Sequence, residues 1–196
     1  MLKCTQLYER EYIVLERQLT SQKVYAGKLL NIYRDEVSLE NGNTSIREVA
    51  KHPGGVCVAA LEDDGSLWFV RQFRYAVGEE VLELPAGKLE PGEDPDLAVV
   101  RELKEETGCT ADRIDKLSAS FPSPGYTSEV LHLYLARGLH HGEQHLDEDE
   151  DLDAFRIPLS EAVKMAMSGE IRDSKTQTLI LMVDKLLNTN TEALEK

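Results

Sequence analysis

Three glutamates, Glu102, Glu105 and Glu106, follow one another at spacings of three and one residues. On a helix, positions i, i+3 and i+4 put all three carboxylates on one face. Bare carboxylates so placed repel one another, and a helix gains nothing from holding them. Such a face is either solvated or occupied by divalent cations. Hard cations want oxygen ligands, and Mg²⁺ is usually held by one or two carboxylates together with substrate phosphate oxygens. Ala98, one turn earlier, is small enough to leave room for such ions. Val100, Leu103 and Thr107 lie on other sides and are expected to pack the helix against the body. The acids are also concentrated: ten lie between Glu79 and Glu106, and six of the seven residues 147–153 are acidic. Composition alone does not choose between solvent and cations.

The elements that must position these acids are legible in outline. Asp94 is a suitable N-cap, Pro95 fits the first helical position, Asp96 complements the positive helix end and Gly108 is a stop. A helix is therefore predicted over 97–107. Ahead of it, β-branched and aromatic residues predict strands over 12–19, 23–26, 29–39, 45–51, 56–61 and 67–73. Asn41-Gly42, His52-Pro53-Gly54-Gly55 and Asp63-Asp64-Gly65 separate them, and the whole reads as an antiparallel meander. Further strands are predicted near 114–121, 130–136 and 154–157. Helices follow over 160–167, capped by Ser160, and 174–187, with the chain fraying from 188 onward. The class is α+β or an α–β–α sandwich.

The 196 residues carry 22 Lys+Arg against 36 Asp+Glu, a formal net charge of −14. Such a chain is a poor non-specific binder of nucleic acid or anionic lipid, which need clustered cations. A hydrophobic content of 41% suffices for a core. No apolar run approaches a membrane span, and the N-terminus lacks the apolar stretch of a secretory signal. Cys4, Cys57 and Cys109 are odd in number and lack CxxC spacing. Their pattern suits a reducing cytoplasm better than a disulfide framework or a thiolate zinc site.

Residues 87–109 match G-x5-E-x7-R-E-U-x-E-E-x-G-U, where U is bulky and apolar, through Gly87, Glu93, Arg101, Glu102, Leu103, Glu105, Glu106, Gly108 and Cys109. A chance match in a chain of this length is on the order of one in 10⁷. The string resembles the Nudix box, with Cys109 smaller than the usual last residue. The stretches Glu83-Leu84-Pro85-Ala86 and Ser123-Pro124-Gly125-Tyr126 resemble the ADP-ribose pyrophosphatase branch of that family, in which a proline at the place of Pro124 marks ADP-ribose preference. Residues 24–27, 52–56, 72–75 and 173–176 extend the likeness over nearly the whole chain.

The resemblance implies a Nudix-fold α–β–α sandwich over 51–190, an N-terminal antiparallel β extension over 1–50, and a frayed tail over 191–196. It implies a homodimer in which the extension is exchanged, and hydrolysis of a nucleoside diphosphate sugar with two or three Mg²⁺ ions, or Mn²⁺. Glu102 and Glu106 would be the principal metal ligands, joined by Glu105 and by the backbone carbonyl of Ala86. Arg101 would orient a carboxylate, Glu93 or Glu105. The acidic run would supply the base, Glu148, with Glu150 as a further metal ligand, and Glu105 is the competing base. Arg74 and Arg71 are candidates for the diphosphate or terminal ribose, Pro124, Gly125 and Glu129 for the ribose side, and Tyr25 or Tyr33 for stacking on adenine. His140, His141 and His145 lack zinc-site spacing and are expected to be solvated. GDP-mannose and ADP-glucose are rival substrates. A catalytically silent nucleotide binder is a rival of another class, although no box glutamate is lost. A calcium-binding module would need a glycine and a later glutamate that 147–153 lacks.

Overall fold

The structure is a computed structural model that describes residues 15–146 and 151–194. They form two compact units: one running to His52 and taking in Gly125–Ser128, the other Pro53–Pro124 and the residues from Glu129 onward. In the first unit β1 (Glu16–Ala26), β2 (Asn31–Leu39) and β3 (Thr44–Lys51) make an antiparallel sheet in that order. β1 is exposed along its length, and among the described residues of this unit only Val37 is buried. The stretch of 125–128 is held to this sheet through Ala50, whose N–H donates to the Tyr126 carbonyl at 2.7 Å.

The second unit carries the predicted helix. Its strands are β4 (Gly55–Ala60), β5 (Ser66–Arg74), β6 (Glu79–Glu83), β7 (Ala86–Lys88), β8 (Thr110–Ser120), β9 (Leu131–His140) and β10 (Leu152–Pro158). The helices are α1 (Pro95–Thr107), α2 (Leu159–Ser168) and α3 (Ser174–Leu194). One sheet runs β7-β4-β9-β8 and the other β10-β5-β6. The expected meander ends at β3. β4 lies parallel to β9, from Gly55↔Leu131 to Ala60↔Ala136, and β5 pairs with β6 and β10. A parallel pairing needs a long crossover, which no local turn signal announces.

Strand alternation produces the layers. Val56, Val58 and Ala60 of β4, with Tyr134 and Ala136 of β9, pack against Ala98, Val99 and Leu103 of α1. The alternate residues, Cys57 and Ala59 with Leu133 and Leu135, pack against Ala162 of α2 and Leu179, Ile180 and Val183 of α3. β4 is buried on both faces, as a central strand between helical layers must be. The architecture is an α–β–α sandwich.

The caps of α1 are as the sequence dictates. Asp94 accepts from the Asp96 N–H, Pro95 opens the helix, and Gly108 closes it at φ 72°, a left-handed conformation suited to glycine. Tyr134 then pins the first turn by donating its hydroxyl to Asp96 at 2.6 Å. Four local expectations give way. Ala98 is fully buried against β4 and leaves no room for ions, while Val100 is exposed at 46%. α2 starts after Pro158 without a side-chain cap, so Ser160 does not cap it. Its first N–H, from Leu159, is satisfied by the Gly65 carbonyl at 3.0 Å. α3 continues to Leu194, past the expected end at 187.

Leu103→Ala should therefore lower unfolding free energy by about 2–5 kcal/mol, whereas Val100→Ala on the exposed side of α1 should change it by less than about 0.5 kcal/mol. Urea denaturation of the two variants checks this contrast.

Candidate active site

The acids of α1 do not stand bare. The Arg101 guanidinium donates from Nε and Nη2 to Glu93 at 3.0 and 2.9 Å, and from Nη1 to Glu102 at 2.8 Å and Glu105 at 2.9 Å. Its Nη2 also reaches the Lys88 carbonyl at 3.3 Å. One cation thus ties three carboxylates from the helix and the loop before it. Hydrogen bonds from Arg101 hold the Glu93 carboxyl below the usual glutamate range, despite some loss of solvent. The same bond to Glu93, helped by the other acids, pushes Arg101 further up.

Glu102 and Glu106 are nearly buried, at 6% and 2% exposure. Glu106 accepts from the Ala86 N–H at 2.8 Å, which fastens α1 to the start of β7. Gly87 comes next, and a Cβ built there would lie 1.9 Å from the Glu102 carboxyl. Any side chain there would have to push the Glu102 carboxylate out of the place it occupies. Gln144 and His145 close the far end of the helix, donating to the carbonyls of Glu106 at 2.6 Å and Glu105 at 3.0 Å.

The donor set is all oxygen and anionic, the set a hard cation selects. Among the described residues no three acidic, histidine or cysteine side chains already form a cation cage, since Arg101 and the Ala86 N–H hold the carboxylates. Mg²⁺ does not require one, because it keeps waters and uses substrate oxygens beside one or two carboxylates. The residues present fit Mg²⁺.

A second charged cluster borders a cleft of about 380 Å³. Arg74 pairs with the buried Glu83, Nε to Oε1 at 2.6 Å and Nη2 to Oε2 at 2.9 Å. Lys175 pairs with the same carboxylate, and with Asp173 at 3.0 Å. Burial opposes the charge on Glu83, but the hydrogen bonds from Arg74 and the charge of Lys175 outweigh it and hold the carboxyl below its usual range. Burial likewise works against the charge on Lys175, and Glu83 and Asp173 overcome it, raising the ammonium's pKa.

The structure brings Ala86, Glu93, Arg101, Glu102, Glu105 and Glu106 together. Arg74 sits on the Glu83 cluster, half-exposed at the cleft. Arg71 is exposed and stacks over Phe155 at 5.1 Å. Pro124 and Gly125 are exposed in the turn after β8, and Glu129 is half-buried before β9. Tyr25 is 60% exposed on β1, whereas Tyr33 lies under the Lys23 ammonium at 5.4 Å. Glu148 and Glu150 lie outside the described residues. His140, His141 and His145 are exposed, as expected; His140 pairs with Asp112 at 2.8 Å, and His141 lies 3.6 Å from the Cys109 sulfur and 3.4 Å from Glu62. Cys109 itself is buried among the apolar residues under α1. Glu83 was missed from the sequence, although an acid between Leu82 and Leu84 is the signal of a buried charge that needs partners.

A sandwich with this glycine-cradled acidic helix defines a family. The chain belongs to the Nudix family: the family model of the NUDIX domain matches residues 51–177. Over 163 residues it is 41% identical to an ADP-ribose pyrophosphatase of Bacillus subtilis (strain 168), spanning 82% of this chain and 88% of that protein. It is 39% identical over 163 residues to the methanol dehydrogenase activator of Bacillus methanolicus, again spanning 82% and 88%. The fold matches the crystal structure of an ADP compounds hydrolase at a TM-score of 0.79 and 22% identity, covering 89% of this chain and 95% of that one.

The depressed carboxyls make stability pH-dependent with a fixed sign. Below the usual glutamate value, about 4.3, the unfolded chain binds more protons than the folded one. The stability that Glu83 and Glu93 contribute is complete above that value and is lost as pH falls through their folded values. Glu83→Gln should flatten this acid limb, as read from urea midpoints between about pH 3 and 6.

Proposed function

We propose that this protein hydrolyses the diphosphate of ADP-ribose, giving AMP and ribose 5-phosphate, with Mg²⁺ or Mn²⁺ as cofactor. The observation that carries the reading is the intact acidic site: Glu102 against Gly87, Glu106 on the Ala86 N–H, and Arg101 between Glu93 and Glu105. The 41% identity to an ADP-ribose pyrophosphatase over most of both chains supports the choice of substrate.

Glu102, Glu105, Glu106 and the Ala86 carbonyl would hold the cations, with Glu150 as a further ligand. Bound there, Mg²⁺ supplies charge to offset that of the diphosphate and Lewis acidity at the phosphoryl oxygens. The chain does the rest. Arg101 keeps the carboxylates from scattering, and Gly87 lets β7 approach Glu102. In the hydrolysis, a water oxygen bonds to one phosphorus, the bridging P–O bond breaks, and the water's proton passes to a carboxylate. We assign that base to Glu148. Glu105 is the less suitable base, because one of its oxygens already accepts from Arg101. Arg74 is placed in the role of meeting the diphosphate, Arg71, Pro124, Gly125 and Glu129 the ribose side, and Tyr25 the adenine. At a net charge of −14 the partner is a small diphosphate rather than nucleic acid, and a cytoplasmic site of action suits the free, buried Cys57 and Cys109.

In this reading the chain works as a homodimer through its N-terminal β extension. Leu15, Leu19, Val24, Tyr25 and Ile46 are all at least 40% exposed, although a three-stranded sheet needs an apolar face covered to be stable. Sedimentation equilibrium should give twice the 22.0 kDa chain mass, and a monomer at micromolar concentration would exclude the dimer.

The activity is tested by phosphatase-coupled phosphate release across ADP-ribose, GDP-mannose, ADP-glucose, NADH and a nucleoside triphosphate, each with Mg²⁺. ADP-ribose should be fastest, and Glu106→Gln should lose at least about 100-fold in kcat. A nucleoside diphosphate hexose turning over faster would keep the chemistry and discard the substrate. No turnover on any compound by folded protein would discard both.

A further inference from the structure

We propose that the turn Asp173–Lys175–Thr176, at the start of α3, is a positioning device for the reaction: it holds at once the strap that meets Glu106 and the guanidinium of Arg74. The proposal rests on the reading of Glu106 as a metal ligand and of Arg74 as a substrate contact, and it deepens that reading. None of the three residues belongs to the Nudix box.

The strap is the four residues from Glu83 to Ala86, which join β6 to β7, and each is fastened separately. The Glu83 carboxylate lies between Lys175 and Arg74. The Leu84 N–H donates to the Thr176 hydroxyl at 2.9 Å. The Pro85 carbonyl accepts from the Val58 N–H of β4 at 2.9 Å. The Ala86 N–H donates to Glu106 at 2.8 Å. The strap is thus pinned on one side by α3 and on the other by α1, the helix of the acids.

The grip on α3 is itself built. Asp173 accepts from the Thr176 N–H at 3.0 Å and from Lys175 at 3.0 Å, so its carboxylate sets both residues. Thr176 and Leu84 are fully buried and Glu83 is 2% exposed. No water can stand in for a lost partner without opening this core. A buried polar group left unpaired moves to find another partner, and here the moves available are those of the strap. Releasing Leu84 from Thr176 lets Ala86 shift, and with it the N–H that fixes Glu106. Releasing Glu83 from Lys175 leaves Arg74 as its remaining cation, so the guanidinium, already bonded through Nε and Nη2, is held more firmly and yields less readily to a diphosphate. One tether therefore governs the anionic half and the cationic half of the site. Groups that orient metal ligands from behind commonly affect metal affinity 10- to 100-fold.

Two variants separate these arms from a merely structural role. Thr176→Val keeps the shape and removes the acceptor, and Thr176→Ser keeps the acceptor. Mn²⁺ binding to the substrate-free full chain, read by electron paramagnetic resonance, should weaken about 10-fold in Thr176→Val and stay within about threefold in Thr176→Ser. Lys175→Met should raise the KM for ADP-ribose about 10-fold with a smaller change in kcat. If Thr176→Val does not fold, Lys175→Met decides on the KM. Variants that lower the melting temperature while leaving Mn²⁺ affinity and KM within about twofold of wild type would overturn the tether. Wild-type protein that binds Mn²⁺ but does not hydrolyse ADP-ribose would sink the substrate reading alone, and the Mn²⁺ arm would still judge the tether. Wild-type protein that binds no Mn²⁺ would sink both.

Discussion

The arrangement of α1 depends on a single cation among acids. Two unit charges 4 Å apart near a protein surface repel by about 4 kcal/mol, so Glu93, Glu102 and Glu105 cannot share a corner without an opposing charge. Arg101 supplies it from within the same helix, and its planar fork reaches all three. A lysine would bring the charge without the fork. Because Arg101 also ties the helix to Glu93 in the preceding loop, the loop's path and the helix's acidic face are fixed together. That correlation lets Gly87 pass close beneath Glu102, and it is why residues 87–109 act as one unit.

The sandwich gives that unit something to lean on from both sides. β4 is the hinge of the arrangement: its odd and even residues face opposite helical layers, and the pairs Val56↔Gly87 and Cys57↔Ala86 carry β7 along its edge. α1 is thereby set against one face while α3 packs on the other. The ends of both helices meet the short link between β6 and β7. The site is a product of the layer order as much as of the motif.

The motif helix was legible in its extent, its caps and its stop at Gly108, because those signals are local and redundant. The β1–β3 meander was legible for the same reason, through Asn41-Gly42 and alternation, except that the break expected between 19 and 23 is absent and β1 runs through it. β6 and β7 were not. β6 is five residues with three glutamates, and β7 is three residues, too short for any period to register. The β4–β9 pairing was invisible because residues 56 and 132 are brought together only by the crossover between them. The acids alone place Ala98 on the side open to ions. The three residues Val99, Leu103 and Ala98 together show which side is buried, and Ala98 lies on it. Among site residues, the box acids followed from spacing. Glu83 and Lys175 did not, because their partnership spans 92 residues and no local pattern encodes it.

The charge budget of the site orders its occupancy. Arg101 is committed to three carboxylates, and Lys175 to Glu83 and Asp173. Arg172 pairs with Glu79, and Arg74 with Glu83. Among the described residues around the cleft, each cation therefore faces an acid, and the chain as a whole stands at −14. A diphosphate approaching such a surface meets little uncompensated positive charge from the protein. Attraction must come either from divalent cations on the acids of α1 or from breaking an existing ion pair, and breaking a largely buried pair such as Glu83–Lys175 costs several kcal/mol. The first route is the lower one. In the proposed function, cation and diphosphate therefore bind in that order or together. The acids that would repel the substrate are the same groups that recruit what attracts it.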